Sequence, residues 1–182
     1  MAKLVSKVYG DALFADAMEK DQVAARDEEV SALRTIFNGQ KEFMEILEHP
    51  QIPKEEKTSL LKNIFSGRVS EEMLGFLVTV VEKGRQKELL AMFDHFTARV
   101  KEYKKIGVVT VTSAVPLSEA QKRDVEKRLL ETTSFLSLEV GYSVDQALIG
   151  GLVIRIGDRV ADSSIRTRIE DLKRELLKLQ LA

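Results

Sequence analysis

The apolar residues of this chain keep one spacing up to about residue 105 and a different one after it, and this single change limits what the chain can fold into. In the first stretch they recur every three or four residues, which lays one stripe along a helix; in the second they alternate, as in a strand with one buried face. One such switch predicts an α+β protein of two domains. The expected architecture is a six-helix bundle over 1–105, followed by a small α/β domain over 106–182 with a few strands and a terminal helix.

The punctuation within the first stretch divides it into helices. One runs from about Leu4 to Lys20, and a second ends near Asn38-Gly39, a natural C-terminal stop. A short third, "KEFMEILEH", is closed by Pro50, and Pro53 can open the fourth because its missing N–H would be unpaired there. Ser70 is placed to cap the fifth, "SEEMLGFLVTVVEKG", and the sixth, from about Arg85, carries Leu89, Phe93, Phe96, Val100 and Tyr103 on one stripe.

Past Ile106-Gly107, "VVTVTSAV" reads as a strand ended by Pro116, and Ser118 with Gln121 forms an S-x-x-Q capping box for a helix reaching about Glu131. In "FLSLEVGY", Leu136, Leu138, Val140 and Tyr142 alternate with small or polar residues, a half-buried strand. Strand, crossover helix and strand predict a parallel pair. "GLVIRI" and "RVA" flank Gly157-Asp158 and predict a hairpin, although Gly-Asp is a weaker turn pair than Asp-Gly.

Composition removes several classes of function. The 28 basic and 29 acidic residues leave a net charge of -1, which offers no bulk attraction for nucleic acid or anionic lipid. The absence of cysteine excludes disulfides and thiolate metal sites. The longest strongly apolar run, around Leu74 to Val81, is far short of the roughly 20 residues that span a bilayer, so no direct membrane insertion is expected. Acidic residues at Asp11, Asp16 and Glu19 break the pattern of a signal or transit peptide, and the mature chain is expected to start here, in the cytoplasm.

The glycines of "GGLVIRIGDRV" invite a phosphate-cradle reading, which their context does not support. No Lys-Ser or Lys-Thr follows them as a P-loop requires, and Gly150-Gly151 precede a strand where a dinucleotide fingerprint lies between a strand and a helix. The pair is read instead as a tight turn or a close backbone approach. Asp162, Ser163 and Ser164 are alternative N-caps of the last helix. His49 and His95 have no histidine partner at metal-binding spacing, and the adjacent carboxylates Glu28-Glu29, Glu55-Glu56 and Glu71-Glu72 diverge around their helices. No cofactor, metal or catalytic group is predicted.

Two helices carry more apolar surface than a simple bundle uses. In the first, Leu4, Ala15, Val8, Ala12, Val5, Tyr9 and Leu13 spread in that angular order over about half the circumference. The fifth is apolar nearly all round. Either both lie at the bundle centre, or they lie side by side and leave a groove for an amphipathic helix of another protein, lined by Leu4, Val8, Tyr9, Ala12, Leu74, Leu77, Val78 and Val81. The last helix poses the same choice: Ile165, Ile169, Leu172, Leu176 and Leu179 form a heptad-like seam too short for an independent coiled coil. Its edges mix Arg166, Arg168, Lys173, Arg174 and Lys178 with Glu170, Asp171 and Glu175, which argues against a nucleic-acid stripe.

Over essentially its whole length the chain resembles the delta subunits of F-type ATP synthases, the family that includes the mitochondrial oligomycin-sensitivity-conferring protein. The resemblance is strongest in "LIGGLVIRIGDRVADSSIRTRIEDL", with Gly150, Gly151, Gly157, Asp158, Asp162 and Ser164 as its signature, and weaker in "FLVTVVEKGRQKEL" and "VYGDALFADA". In the last of these the family usually has Tyr-Ala where this chain has Tyr9-Gly10. The resemblance implies a non-catalytic stator adaptor at the cytoplasmic face of a bacterial membrane. It further implies that the helical domain grips the N-terminal helices of alpha subunits and that the second domain joins the b subunits of the peripheral stalk. The alternative is a helical scaffold protein of an unrelated complex, and a second rival is a nucleotide-dependent enzyme using the Gly150-Gly151 loop.

Overall fold

The computed structural model describes residues 2–179, with side chains described for 4–177. The chain divides into two compact units, Met1–Val100 and Lys101–Ala182, with the division inside the last turn of one helix.

Helices of the first unit are α1 (Ala2–Glu19), α2 (Val23–Gly39), α3 (Lys41–Glu48), α4 (Lys54–Phe65), α5 (Glu71–Glu82) and α6 (Leu89–Tyr103), with a 3-10 turn at Gln86–Glu88 before the last. Their apolar stripes meet in one core. Phe37 of α2 sits in it with ring centroids 5.6 Å from Phe43, 5.9 Å from Phe65 and 6.1 Å from Phe93, spacings at which aromatic pairs attract beyond their area burial. The α6 stripe is buried at Leu89, Phe93, Phe96 and Val100, while Tyr103, at the helix end, is exposed.

Helix boundaries follow local chemistry. The Ser70 hydroxyl accepts from the Met73 N–H and starts α5. Pro53 is the N-cap of α4 rather than its first helical residue: its ψ of 151° is extended, and its carbonyl accepts from Lys57.

The second unit holds β1 (Ile106–Ser113), α7 (Glu119–Thr132), β2 (Ser137–Val144), a 3-10 turn at Gln146–Leu148, β3 (Leu152–Ile156), β4 (Arg159–Asp162) and α8 (Ile165–Leu179). The sheet order is β2-β1-β3-β4. β1 and β2 run parallel across the α7 connection, and β3 is antiparallel to both β1 and β4. Val109, Val111 and Leu129 form the centre of its core, joined by Leu138, Val140, Tyr142 and Ile154. The Ser118 hydroxyl accepts from the Gln121 backbone N–H while the Gln121 side-chain Oε1 accepts from the Ser118 N–H, the full capping box of α7.

Two strand limits differ from expectation. β1 stops at Ser113, whose hydroxyl turns back to donate to the Val115 carbonyl at 2.7 Å. Leu136 lies before β2 and is exposed, with its N–H spent on the Lys105 carbonyl. In the β3–β4 hairpin Gly157 has φ 55° and Asp158 does not have positive φ, the pattern of a type II′ turn, in which glycine comes first. That is why Gly-Asp serves here.

Candidate functional site

Three contacts along α1 fix its position against α5. At one end Lys20 Nζ lies 3.0 Å from a Glu72 oxygen, and in the middle the rings of Tyr9 and Phe76 meet edge-on with centroids 6.4 Å apart. α1 also borders the 3-10 turn that follows α5. The two helices therefore run antiparallel. Arg26 of α2 locks the capped end: it is fully buried, donates to Glu29 at 2.9 Å and to the Ser70 hydroxyl, and faces Asp16 at 3.8 Å and Glu72 at 3.6 Å. Glu72 is held below the ordinary carboxylate value by its own backbone N–H and then by Lys20.

On its other flank α1 packs against α6 at Gly10. A Cβ there would come 2.7 Å from the His95 ring and 3.1 Å from the Met92 carbonyl oxygen, so glycine is what lets His95 come this close to the helix. His95 Nε2 then reaches Asp11 at 2.9 Å and, with Arg99 Nε at 3.2 Å, holds the Asp11 carboxyl below its usual value.

What remains of α1 is an apolar face turned to solvent. Leu4 is 67% exposed and Val8 58%; Ala12 is exposed beside them, and Val5 and Tyr9 descend from them toward Phe76. The eight residues picked from the sequence do not form one groove. Leu77 and Val81 are 1% and 2% exposed and belong to the core, which is where the excess apolar character of α5 is spent. Leu74 and Val78 are half-buried, but at about 100° per residue each lies about 160° around α5 from Phe76, the residue whose ring meets α1. Phe76 is the residue of α5 that meets α1 here, and the exposed Thr79 lies about 60° from it around the helix. Phe76 was the residue missed, and an apolar wheel alone holds no signal that would have separated the two flanks.

The glycine segment of the second unit is closed upon itself. Gly151 has φ 81°, and a Cβ on it would lie 2.4 Å from the Ser163 carbonyl oxygen; at Gly150 it would lie 2.6 Å from Ile165 Cδ1. The Gly150 carbonyl accepts from the Ile165 N–H at 3.0 Å. Of the three candidate caps, Ser164 accepts from the Thr167 N–H, while Asp162 accepts from the Ser164 N–H and the Thr167 hydroxyl. These bonds, the Ser164 N–H foremost, keep the Asp162 carboxyl below its ordinary value. The space above the glycines and the Ile165, Thr167 and Arg168 amides at the start of α8 are thus taken by the chain itself, against the reading of a phosphate cradle. Among the described residues no three His, Cys, Asp or Glu side chains gather into a metal-binding group.

From Arg168 through Leu177 every residue of α8 is exposed, including Ile169, Leu172 and Leu176 of the predicted seam; the Leu179 side chain lies outside the described residues. The helix stands away from its sheet with its apolar seam uncovered. No helix among the described residues is long and apolar enough to cross a membrane.

A family model described as ATP synthase delta (OSCP) subunit matches residues 5–176. The ATP synthase subunit delta of Lachnoclostridium phytofermentans is 48% identical over 181 residues, covering 100% of both chains. That of Desulforamulus reducens is 34% identical over 95% of each. Among solved structures, a chain of the Toxoplasma gondii mitochondrial ATP synthase hexamer superposes with a TM-score of 0.71 over 94% of this chain and 97% of its own, at 21% identity, which shows a shared fold.

Proposed function

Because this chain belongs to the ATP synthase delta (OSCP) subunit family, we propose that its two exposed apolar faces are the two ends of a stator tether, one for the catalytic head and one for the peripheral stalk. Membership makes it a non-catalytic subunit, and the work of such a subunit is mechanical. A rotor turning inside the head exerts torque on it. A tether that slips would let the head turn with the rotor and dissipate the gradient.

The observation that carries the reading is the solvent-facing strip of Leu4, Val8 and Ala12 running down to the Tyr9–Phe76 contact. An amphipathic helix laid along it would remove Leu4 and Val8 from water, and full burial of one such side chain contributes about 1.5–3 kcal/mol. The proposed occupant is the N-terminal helix of an alpha subunit. The second unit offers the seam of α8, for which the proposed partner is the b subunits of the stalk, with the whole held peripherally at the cytoplasmic face of the membrane.

Pull-down with the full chain tests both ends. Alpha subunits and the soluble part of b are expected to be recovered, with Val8→Asp losing alpha and keeping b. Recovery of neither by the unaltered chain would contradict the reading.

A further inference from the structure

The charges on α8 are sorted by position. With Ile169 and Leu176 at the a positions of a heptad, and Ile165 and Leu172 at d, the flanking e and g positions hold Arg166, Arg168, Lys173 and Glu175. Three of these four are basic. The remaining acids, Glu170 and Asp171, lie on the outer face and are engaged within the helix, Glu170 by Arg166 at 3.1 Å and Asp171 by Arg174 at 3.2 Å. Arg168 and Lys173, beside the seam, have no ion pair among the described residues.

The apolar strip continues past the root of the helix. Ile149 is 65% exposed at φ 64°, a left-handed conformation that a β-branched side chain adopts only at a cost in free energy. Next to it Gly150 is bonded to Ile165, and below it a cavity of about 400 Å³ opens between the end of β1, α7 and residues 149–152, with Val115, Leu117 and Val125 in its wall. Exposed apolar surface thus runs from Val115 and Ile149 onto the seam of α8.

We propose that this strip receives an amphipathic helix whose own apolar seam is flanked by aspartate and glutamate, laid along α8 with an apolar side chain seated in the cavity beside Ile149. The inference rests on the stalk reading of the second unit and adds the chemistry of the partner. Charge complementarity selects the occupant, because acids on the incoming helix meet the unpaired Arg168 and Lys173, and Glu175 is the single flanking acid they would face. A second copy of the chain fits less well: parallel pairing of two α8 helices sets Arg168 of each against Lys173 of the other. A helix of this length is marginal by itself in water, so its order is expected to increase when it is covered.

The test uses the full chain and a synthetic four-heptad helix with isoleucine and leucine in its seam and glutamate at e and g, against the same peptide with lysine there. Calorimetry is expected to show the acidic peptide binding about tenfold or more tightly, with the preference collapsing in about 1 M salt, where the Debye length is ~3 Å. Arg168→Glu with Lys173→Glu should reverse the preference. Leu172→Asp, at a position 59% exposed in the free chain, should abolish binding of both peptides with the circular dichroism unchanged. Equal affinity for the two peptides, or no effect of the double reversal, would overturn the proposal, as would a dimer in sedimentation that Leu172→Asp dissolves. A soluble b fragment separates the two levels. If the unaltered chain retains b and the reversal does not weaken it, the charge inference fails while the stalk reading stands; if the unaltered chain does not retain b, both fail.

Discussion

Tyr9 and Phe76 meet edge to face, with centroids 6.4 Å apart and ring planes at 71°, and this pair decides which flank of α5 borders the first helix. Substitutions on the two flanks should therefore part company. Val8→Asp, at an exposed position, is expected to weaken binding of an alpha N-terminal peptide by about tenfold or more while changing stability by less than about 0.5 kcal/mol. Val78→Asp should leave peptide affinity nearly unchanged and instead lower stability, because it places a carboxylate at a half-buried position away from α1. Calorimetry and urea unfolding on both variants read the two effects separately.

Gly10 and His95 should behave as a coupled pair. Alanine in a helix interior is favoured over glycine by about 1 kcal/mol, but at residue 10 its Cβ would press on the His95 ring, and overpacking costs about 1–3 kcal/mol. Gly10→Ala alone is expected to destabilise the chain. In a His95→Ala background the same change should be neutral or stabilising, and a double-mutant cycle in urea measures the reversal.

Gly151→Ala should unfold the second unit more readily than any exposed substitution. The new Cβ meets a backbone oxygen at 2.4 Å in a left-handed conformation, so nothing flexible can yield. A loss above about 2 kcal/mol is expected, seen as loss of near-ultraviolet signal from Tyr142 before the helical signal of the first unit.

Alkaline titration should single out one of the three tyrosines. Burial first, and then the hydrogen bond from its hydroxyl to Glu126 at 2.9 Å, push the Tyr142 phenol up to about 12. The unfolded chain loses this proton near its ordinary value of 10, so the contribution of the group to stability is complete below pH 10 and disappears as the pH rises toward about 12. Ultraviolet absorbance should show one phenol ionising late, and Tyr142→Phe should remove that step.

Elements whose chemistry is local are legible in the sequence. The capping box of Ser118 and Gln121, the N-cap at Ser70, the alternation through Val140 and Tyr142 and the hairpin at Gly157-Asp158 each depend on residues a few positions apart. The candidate groove was only half legible, because periodicity shows that α5 is apolar on several sides and leaves unsaid which neighbour covers each. Leu77 and Val81 went to the core, Leu74 and Val78 to the far flank, and Phe76 to α1. Arg26 was illegible for a different reason. A helical arginine reads as a solvated charge, and its burial depends on Asp16, Glu29, Ser70 and Glu72 converging from three separate helices and a cap. Nothing in a β-branched residue such as Ile149 announces a positive φ, which the closed loop behind it imposes.

On the proposed function, the solvent face of α1, bounded by Phe76, holds a helix from the head. Amide and methyl chemical shifts of the full chain, followed as an alpha N-terminal peptide is added, test it most directly. Leu4, Val8, Ala12, Phe76 and Thr79 are expected to move together and saturate at one affinity. Shifts centred on Leu74 and Val78, with the α1 face unmoved, would contradict it.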